Sequence, residues 1–222
     1  NQVGRKDIWV NATKELEVNP NHINTTNKYT GYKFDHSDPE SIPSVVADGT
    51  VIKIYYVKDD SQKVEVKYTV EYYVDGVKQE NDTKVDTKNI WINATKELEV
   101  NPALINTTDK YVGYKFDHSD PETIPSVVAD GTVIKIYYVK DDSQKVEVKY
   151  TVEYYVDGVK QENDTKVDTK NIWINATKEL EVNPALINTT DKYVGYKFDH
   201  SDPGTIPSVV ADGTVIKIYY VK

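Results

Sequence analysis

The string Asp117-His118-Ser119-Asp120, which recurs at 35–38 and 199–202, sets an acid, an imidazole and a hydroxyl side by side. Those are the groups of nucleophilic hydrolysis, in which an acid orients a histidine and the histidine activates a serine. Consecutive side chains on an extended strand point to opposite faces, so Asp117 would not orient His118 while His118 reaches Ser119. A triad converges from separate segments, and residues 59–140 hold a single histidine. The string therefore reads as a surface turn, and no enzymatic activity is expected. Asp117, Asp120 and Glu122 could also offer oxygens to calcium. Calcium takes about six to eight, and the spacing and glycine of an EF-hand loop are missing. Gly204 stands at the counterpart of Glu122, and Lys140-Asp141-Asp142 gathers only two carboxylates. No metal site and no cofactor is assigned.

Recognition chemistry falls to the three tryptophans, Trp9, Trp91 and Trp173. In Ile90-Trp91-Ile92 the isoleucines alternate inward, which leaves the indole outside between Asn89 and Asn93. An apolar plate with amides beside it can stack on a sugar ring. The competing placement has the indole capping a small core or packing at a repeat junction, because tryptophan is usually largely buried. Tyr155 and Tyr219, on the polar faces of their strands, carry the same ambiguity. Asn93-Ala94-Thr95 and Asn106-Thr107-Thr108 are glycosylation acceptors only in a eukaryotic secretory setting, and otherwise read as turn-forming residues. A Lys–Asn isopeptide crosslink needs a buried lysine, and no such triple can be named from sequence.

The elements that position these groups come in copies. KYTVEYYVDGVKQENDTKVDTKNIWINATKELEVNPALINTTDKYVGYKFDHSDP starts at Lys67 and again at Lys149, a period of 82. Residues 59–140 and 141–222 differ only at Glu122 against Gly204, and 1–58 is a drifted copy of 83–140. The expected domains are thus 1–58, 63–140 and 145–222. From Val146 to Val156 valine and tyrosine alternate with polar residues, a long strand with one buried face. Asp157-Gly158 signals a tight turn into a returning strand. Asn183-Pro184 offers a cap and then proline at a first helical position, enough for one short turn of helix. Roughly five strands per repeat are expected, mainly β and α+β at most. Six polar residues, Lys140 to Lys145, join the repeats without the slack of a Gly/Ser linker. The units are expected end to end, as a rod of order 120–150 Å at ~3.3 Å per strand residue.

The segments YTVEYYVDG, GYKFD and IPSVVADGTVIKIYYVKDD resemble the MucBP (mucin-binding protein) type repeats of Gram-positive surface proteins, over about 74 residues of each unit. More loosely, the chain is similar to the near-identical tandem repeats that act as stalks in streptococcal surface proteins. The resemblance implies ubiquitin-like β-grasp domains, an extracellular, wall-attached location and adhesion to mucin or host glycans. It carries no binding residue over position by position.

The 222 residues carry a net charge of −9, spread as zero, −5 and −4 over 1–58, 59–140 and 141–222. That balance argues against nucleic acid as a partner and sets up repulsion from sialylated or sulfated mucin. Cysteine is absent, which excludes disulfides and thiolate sites, and no apolar run is long enough to span a membrane. Methionine is absent too, and the chain reads as an interior piece of a longer surface protein.

The first copy starts at the counterpart of Thr83, so it lacks the KVEVKYTVEYYVDG strand. The side chains equivalent to Tyr68, Val70, Tyr72 and Val74 are missing from its core, a loss of about 6–12 kcal/mol at ~1.5–3 kcal/mol each. Small domains are stable by only about 5–15 kcal/mol. Residues 1–58 are therefore expected to take a strand from another chain or upstream sequence along Val51–Val57, or to be poorly protected.

Overall fold

Alternating valine and tyrosine dictate the longest elements of the computed structural model, which describes residues 2–222. The described chain is almost all β, its only helical pieces being 3₁₀ turns of three residues. It divides into two compact units: Asn1–Glu71 with Asn81–Ile105 and Asp120–Lys135, and Tyr72–Glu80 with Asn106–Ser119 and Ile136–Lys222. The third repeat lies wholly within the second unit and shows the plan completely.

There the strand Lys145–Val156 runs through the middle of a five-stranded sheet. On one side it pairs antiparallel with Lys166–Trp173, from Lys145 opposite Trp173 to Val152 opposite Lys166. On the other it pairs parallel with Val215–Val221, from Thr151 opposite Val215 to Val156 opposite Tyr220. Lys197–Asp202 adds antiparallel outside that strand, and Val159–Lys160 folds back on Lys145–Val156 through the Asp157-Gly158 turn. Both turn residues have positive φ, 44° and 80°, the conformation of a type I′ hairpin. A separate ribbon pairs Glu179–Glu181 with Val209–Ala211.

The core follows the alternation. Val148, Tyr150, Val152 and Tyr154 from the first strand meet Ile216, Ile218 and Tyr220 from the last, with Leu180 and Val210 of the ribbon beneath. The tyrosines belong there because their hydroxyls find partners: the Asn183 amide donates to Tyr150 Oη at 2.8 Å, and Tyr220 Oη donates to the Asn188 carbonyl at 2.8 Å. Asn183 caps the turn Pro184–Leu186, its side chain accepting from the Ala185 amide at 3.0 Å, as its sequence predicts. Seven strands form where about five were expected. The additions are two or three residues long, too short for alternation to register.

In residues 2–58 the ribbon Glu15–Glu17 with Val45–Ala47 and the pair Tyr32–Asp38 with Lys53–Lys58 recur in equivalent register. Residues 2–9 form no strand and are exposed, and Ile52, Ile54 and Tyr56 are only half-buried. Their counterparts Ile216, Ile218 and Tyr220 are fully buried.

Repeat junctions as the candidate functional site

The residues offered for chemistry lie at two places, the histidine strand and the chain between repeats. The histidine strand departs from simple alternation. A bulge between Phe198 and His200 puts Asp199 and His200 on one side, with Nδ1 and Oδ2 2.7 Å apart; His36 and Asp35 repeat this across their own bulge. The expectation that acid and histidine diverge is corrected by that extra residue. Serine stays out of the pair. Ser201 is buried and donates to the Pro203 carbonyl at 2.8 Å, while Ser37 donates to those of Pro39 and Glu40. The imidazole instead stacks on a ring, His200 on Tyr219 at 4.4 Å, and Tyr219 stacks on Tyr155 at 4.9 Å. Tyr155 and Tyr219 thus build a cross-strand ladder on the outer face.

At the junction the sequence Asp59-Asp60-Ser61-Gln62 closes a turn. Asp59 accepts from the Ser61 hydroxyl at 2.6 Å and from Gln62 Nε2 at 3.0 Å, and these bonds hold its carboxyl below the usual range. Gln62 reaches back to Gly31, whose amide donates to Oε1 at 2.8 Å, while Nε2 donates to the Tyr32 carbonyl at 3.2 Å. The Asp59 amide donates to the Gly31 carbonyl at 2.8 Å. Trp91 completes the joint. Its Nε1 donates to the same Gly31 carbonyl at 3.1 Å, Tyr32 meets its ring edge-on at 5.6 Å, and Lys58 lies over it at 4.9 Å. Asn93 Nδ2 donates to the Thr30 carbonyl at 2.7 Å. Asn93 is thus half of a clasp, while Asn106 caps a turn by accepting from the Thr108 amide at 2.9 Å.

The second junction is the same device. The Gly113 amide donates to Gln144 at 2.7 Å, Trp173 Nε1 donates to the Gly113 carbonyl at 3.1 Å, and Asn175 donates to the Val112 carbonyl at 2.7 Å. Lys140 covers Trp173 at 4.9 Å. Gly113 has φ of +85°, and a Cβ there would meet Asn175 Nδ2 at 2.4 Å and Trp173 at 3.1 Å. Glycine is required twice over, for conformation and for room.

Trp91 and Trp173 are half-buried in these joints, whereas Trp9 is 73% exposed. The structure therefore separates the three indoles that the sequence treats alike. The signal that could have located the joint is the recurrence of Gly-Tyr, Asp-Asp-Ser-Gln and Trp-Ile-Asn in fixed order, about 30 residues apart. An open cleft of about 360 Å³ lies between Asp168–Lys170 and Leu180–Pro184, with a counterpart of about 380 Å³ beside Asp86 and Leu98. Among the described residues no cluster of three or more histidine and carboxylate side chains forms a metal site, and no lysine is buried. No helix is long and apolar enough to cross a membrane.

The class defined by this geometry is a β-rich tandem repeat with interlocked junctions. No family model and no curated protein matches the chain. Among solved structures it is similar to SHIRT (Streptococcal High Identity Repeats in Tandem) domains 3-4 from a cell surface protein. That match has 9% identity and a TM-score of 0.33, and covers 70% of this chain and 97% of that one. A type 2 repeat of the mucus binding protein MUB from Lactobacillus reuteri matches at 11% identity and a TM-score of 0.23, covering 70% and 98%.

Proposed function

We propose that the chain is the repeat region of a bacterial cell-surface adhesin, a non-enzymatic stalk of three small grasp-type domains, 1–58, 63–140 and 145–222, that presents an adhesive region. The observation that carries this reading is the fate of the indoles. Trp91 and Trp173, the best sugar-stacking plates in the sequence, spend their N–H groups on glycine carbonyls and their rings on lysine and tyrosine of the same chain. Each joint combines an Asx-type turn, a glutamine bridge and an indole wedge, which restrains the hinge that a spacer must suppress. The resemblance to MucBP-type repeats supports the extracellular, wall-attached setting.

A second reading, multivalent binding of mucin or host glycans, is the one that the resemblance to MucBP-type repeats implies. Retention on immobilised mucin separates the two. The stalk reading expects the chain to pass unretained. Saturable retention of the folded chain establishes the binding reading instead.

A further inference from the structure

A spacer must carry whatever pull its adhesive region receives, and the strand order says where that pull falls. The chain enters the second repeat at Lys63 from the Asp59–Gln62 turn and leaves it at Lys140 into the matching turn Asp141–Gln144. Tension therefore passes from the first long strand of a repeat to its last. In the third repeat those strands are Lys145–Val156 and Val215–Val221. They lie side by side and parallel, in register from Thr151 opposite Val215 to Val156 opposite Tyr220. Pulling back on Lys145 and forward on Lys222 slides one strand along the other. All the hydrogen bonds between them are then stretched at once, whereas strand ends pulled apart sideways open bond by bond. The far edge of the first strand is held by Lys166–Trp173, and that of the last by Lys197–Asp202. Val152, Tyr154, Ile216, Ile218 and Tyr220 bury the interface, and in those low-dielectric surroundings its hydrogen bonds are stronger than in water.

Both ends of the sliding interface carry a latch beyond the paired residues. At the end nearer Lys145, the Lys149 amide donates to Asp212 Oδ1 at 2.8 Å while the Gly213 amide donates to the Lys149 carbonyl at 2.7 Å. At the other end, the Asp157 amide donates to the Tyr220 carbonyl at 2.9 Å and the Lys222 amide donates to Asp157 Oδ1 at 3.2 Å. The second repeat makes the same four bonds. The Lys67 amide donates to Asp130 Oδ1 at 2.8 Å, and the Gly131 amide to the Lys67 carbonyl at 2.7 Å. The Asp75 amide donates to the Tyr138 carbonyl at 2.9 Å, and the Lys140 amide to Asp75 Oδ1 at 3.1 Å. A carboxylate acceptor makes each latch stronger than a neutral one would. We infer that the second and third repeats are tension-bearing units, whose parallel first and last strands form a clamp loaded in shear and latched at its two ends by the carboxylates of Asp212 and Asp157 and their equivalents. The inference rests on the stalk reading, since only a chain under pull has use for such a clamp. Forced unfolding is governed by the unfolding rate, so the clamp acts through lifetime under load rather than through equilibrium stability.

Cysteine is absent from the 222 residues, so pairs of introduced cysteines define where the chain is held in single-molecule force spectroscopy. Lys145→Cys with Lys222→Cys, both at exposed positions, loads the clamp in shear. Val159→Cys with Lys222→Cys holds neighbouring ends of the same two strands, Val159 lying opposite Val156, and peels the last strand from its end. The shear pair should unfold the third repeat at a force at least about twofold higher, because several bonds share the load in that arm and one carries it in the other. Asp212→Ala, at an exposed position, should shorten the lifetime under a fixed shear load about tenfold, the weight of one hydrogen bond to a charged acceptor. It should leave the peeling arm unchanged, since that latch lies at the far end and opens last. Asp212→Asn, which keeps an acceptor oxygen, should retain most of the lifetime. Equal forces in the two arms overturn the inference. So does an Asp212→Ala variant that keeps the shear lifetime or weakens both arms alike, the mark of a merely stabilising residue. Each of these outcomes leaves the stalk reading standing, because that reading is tested by retention on mucin and not by force.

Discussion

Glycine 113 and glycine 195 form a matched pair that isolates the joint from everything else. Their φ angles are 85° and 86°, so alanine strains both alike, by about 1–2 kcal/mol. Only Gly113 is packed: a Cβ there meets Asn175 and Trp173, while one at Gly195 meets nothing within 4 Å. Relieving that clash pulls Trp173 Nε1 from the Gly113 carbonyl and Asn175 Nδ2 from the Val112 carbonyl. Two partly exposed hydrogen bonds at about 0.5–1.5 kcal/mol each give about 1–3 kcal/mol beyond the shared strain. At ~1.4 kcal/mol per decade this is a loss of about 5- to 150-fold in local protection. The reporters are the amides of Asp141 and Ile174, which donate to Gly113 and Gln144 across the joint at 2.9 Å. Amide exchange on Gly113→Ala should show the loss at both, and Gly195→Ala should leave them at the wild-type rate. Equal effects from the two variants, or none from Gly113→Ala, would refute the account of the junction.

Three further outcomes are expected. Burial pushes the Tyr138 hydroxyl up to about 12 and raises Tyr68, Tyr150, Tyr154 and Tyr220 above 10. Their contribution to stability is full below pH 10 and is lost as pH rises through the folded values, so in an absorbance titration these tyrosines should ionise late and together with unfolding. Ionisation of all 18 in one step near pH 10 with the circular dichroism unchanged would contradict this. Glu153 is held below 4.5 by the hydrogen bond from Lys160 at 2.8 Å and then by that from Tyr155, against its partial burial. Its stabilisation is present above the unfolded pKa and lost as pH falls through the depressed one; urea melts should find Glu153→Gln destabilising at pH 7, with the difference shrinking below pH 4. Ile218→Ala empties a fully buried site and should cost about 2–5 kcal/mol in urea unfolding, whereas Val159→Ala, at a position 65% exposed, should cost under about 0.5 kcal/mol.

The long strand, the Asp157-Gly158 turn and the Asn183-Pro184 cap were legible because each rests on a local rule: period-two burial, positive φ in a two-residue loop, a side-chain acceptor before proline. The bulge at His200 was not. Phe198-Asp199-His200 reads like any extended segment, and the extra residue shows only against the partner strand. The joint was half legible. The stiff polar linker was visible, and packing at a junction was one of two placements open to Trp91. The choice between them depended on Gly31, 60 residues earlier, whose missing side chain makes the space the indole fills.

The repeats are proposed to space and present without themselves holding mucin, the indoles of Trp91 and Trp173 being committed to the joints. The most direct measurement is biolayer interferometry of the intact chain over mucin at physiological salt, beside Trp9→Ala and a Trp91→Ala, Trp173→Ala double variant. None of the three should give a saturable signal. A saturable signal from the wild-type chain that the double variant loses, while its third-repeat amides keep their protection, would contradict the proposal.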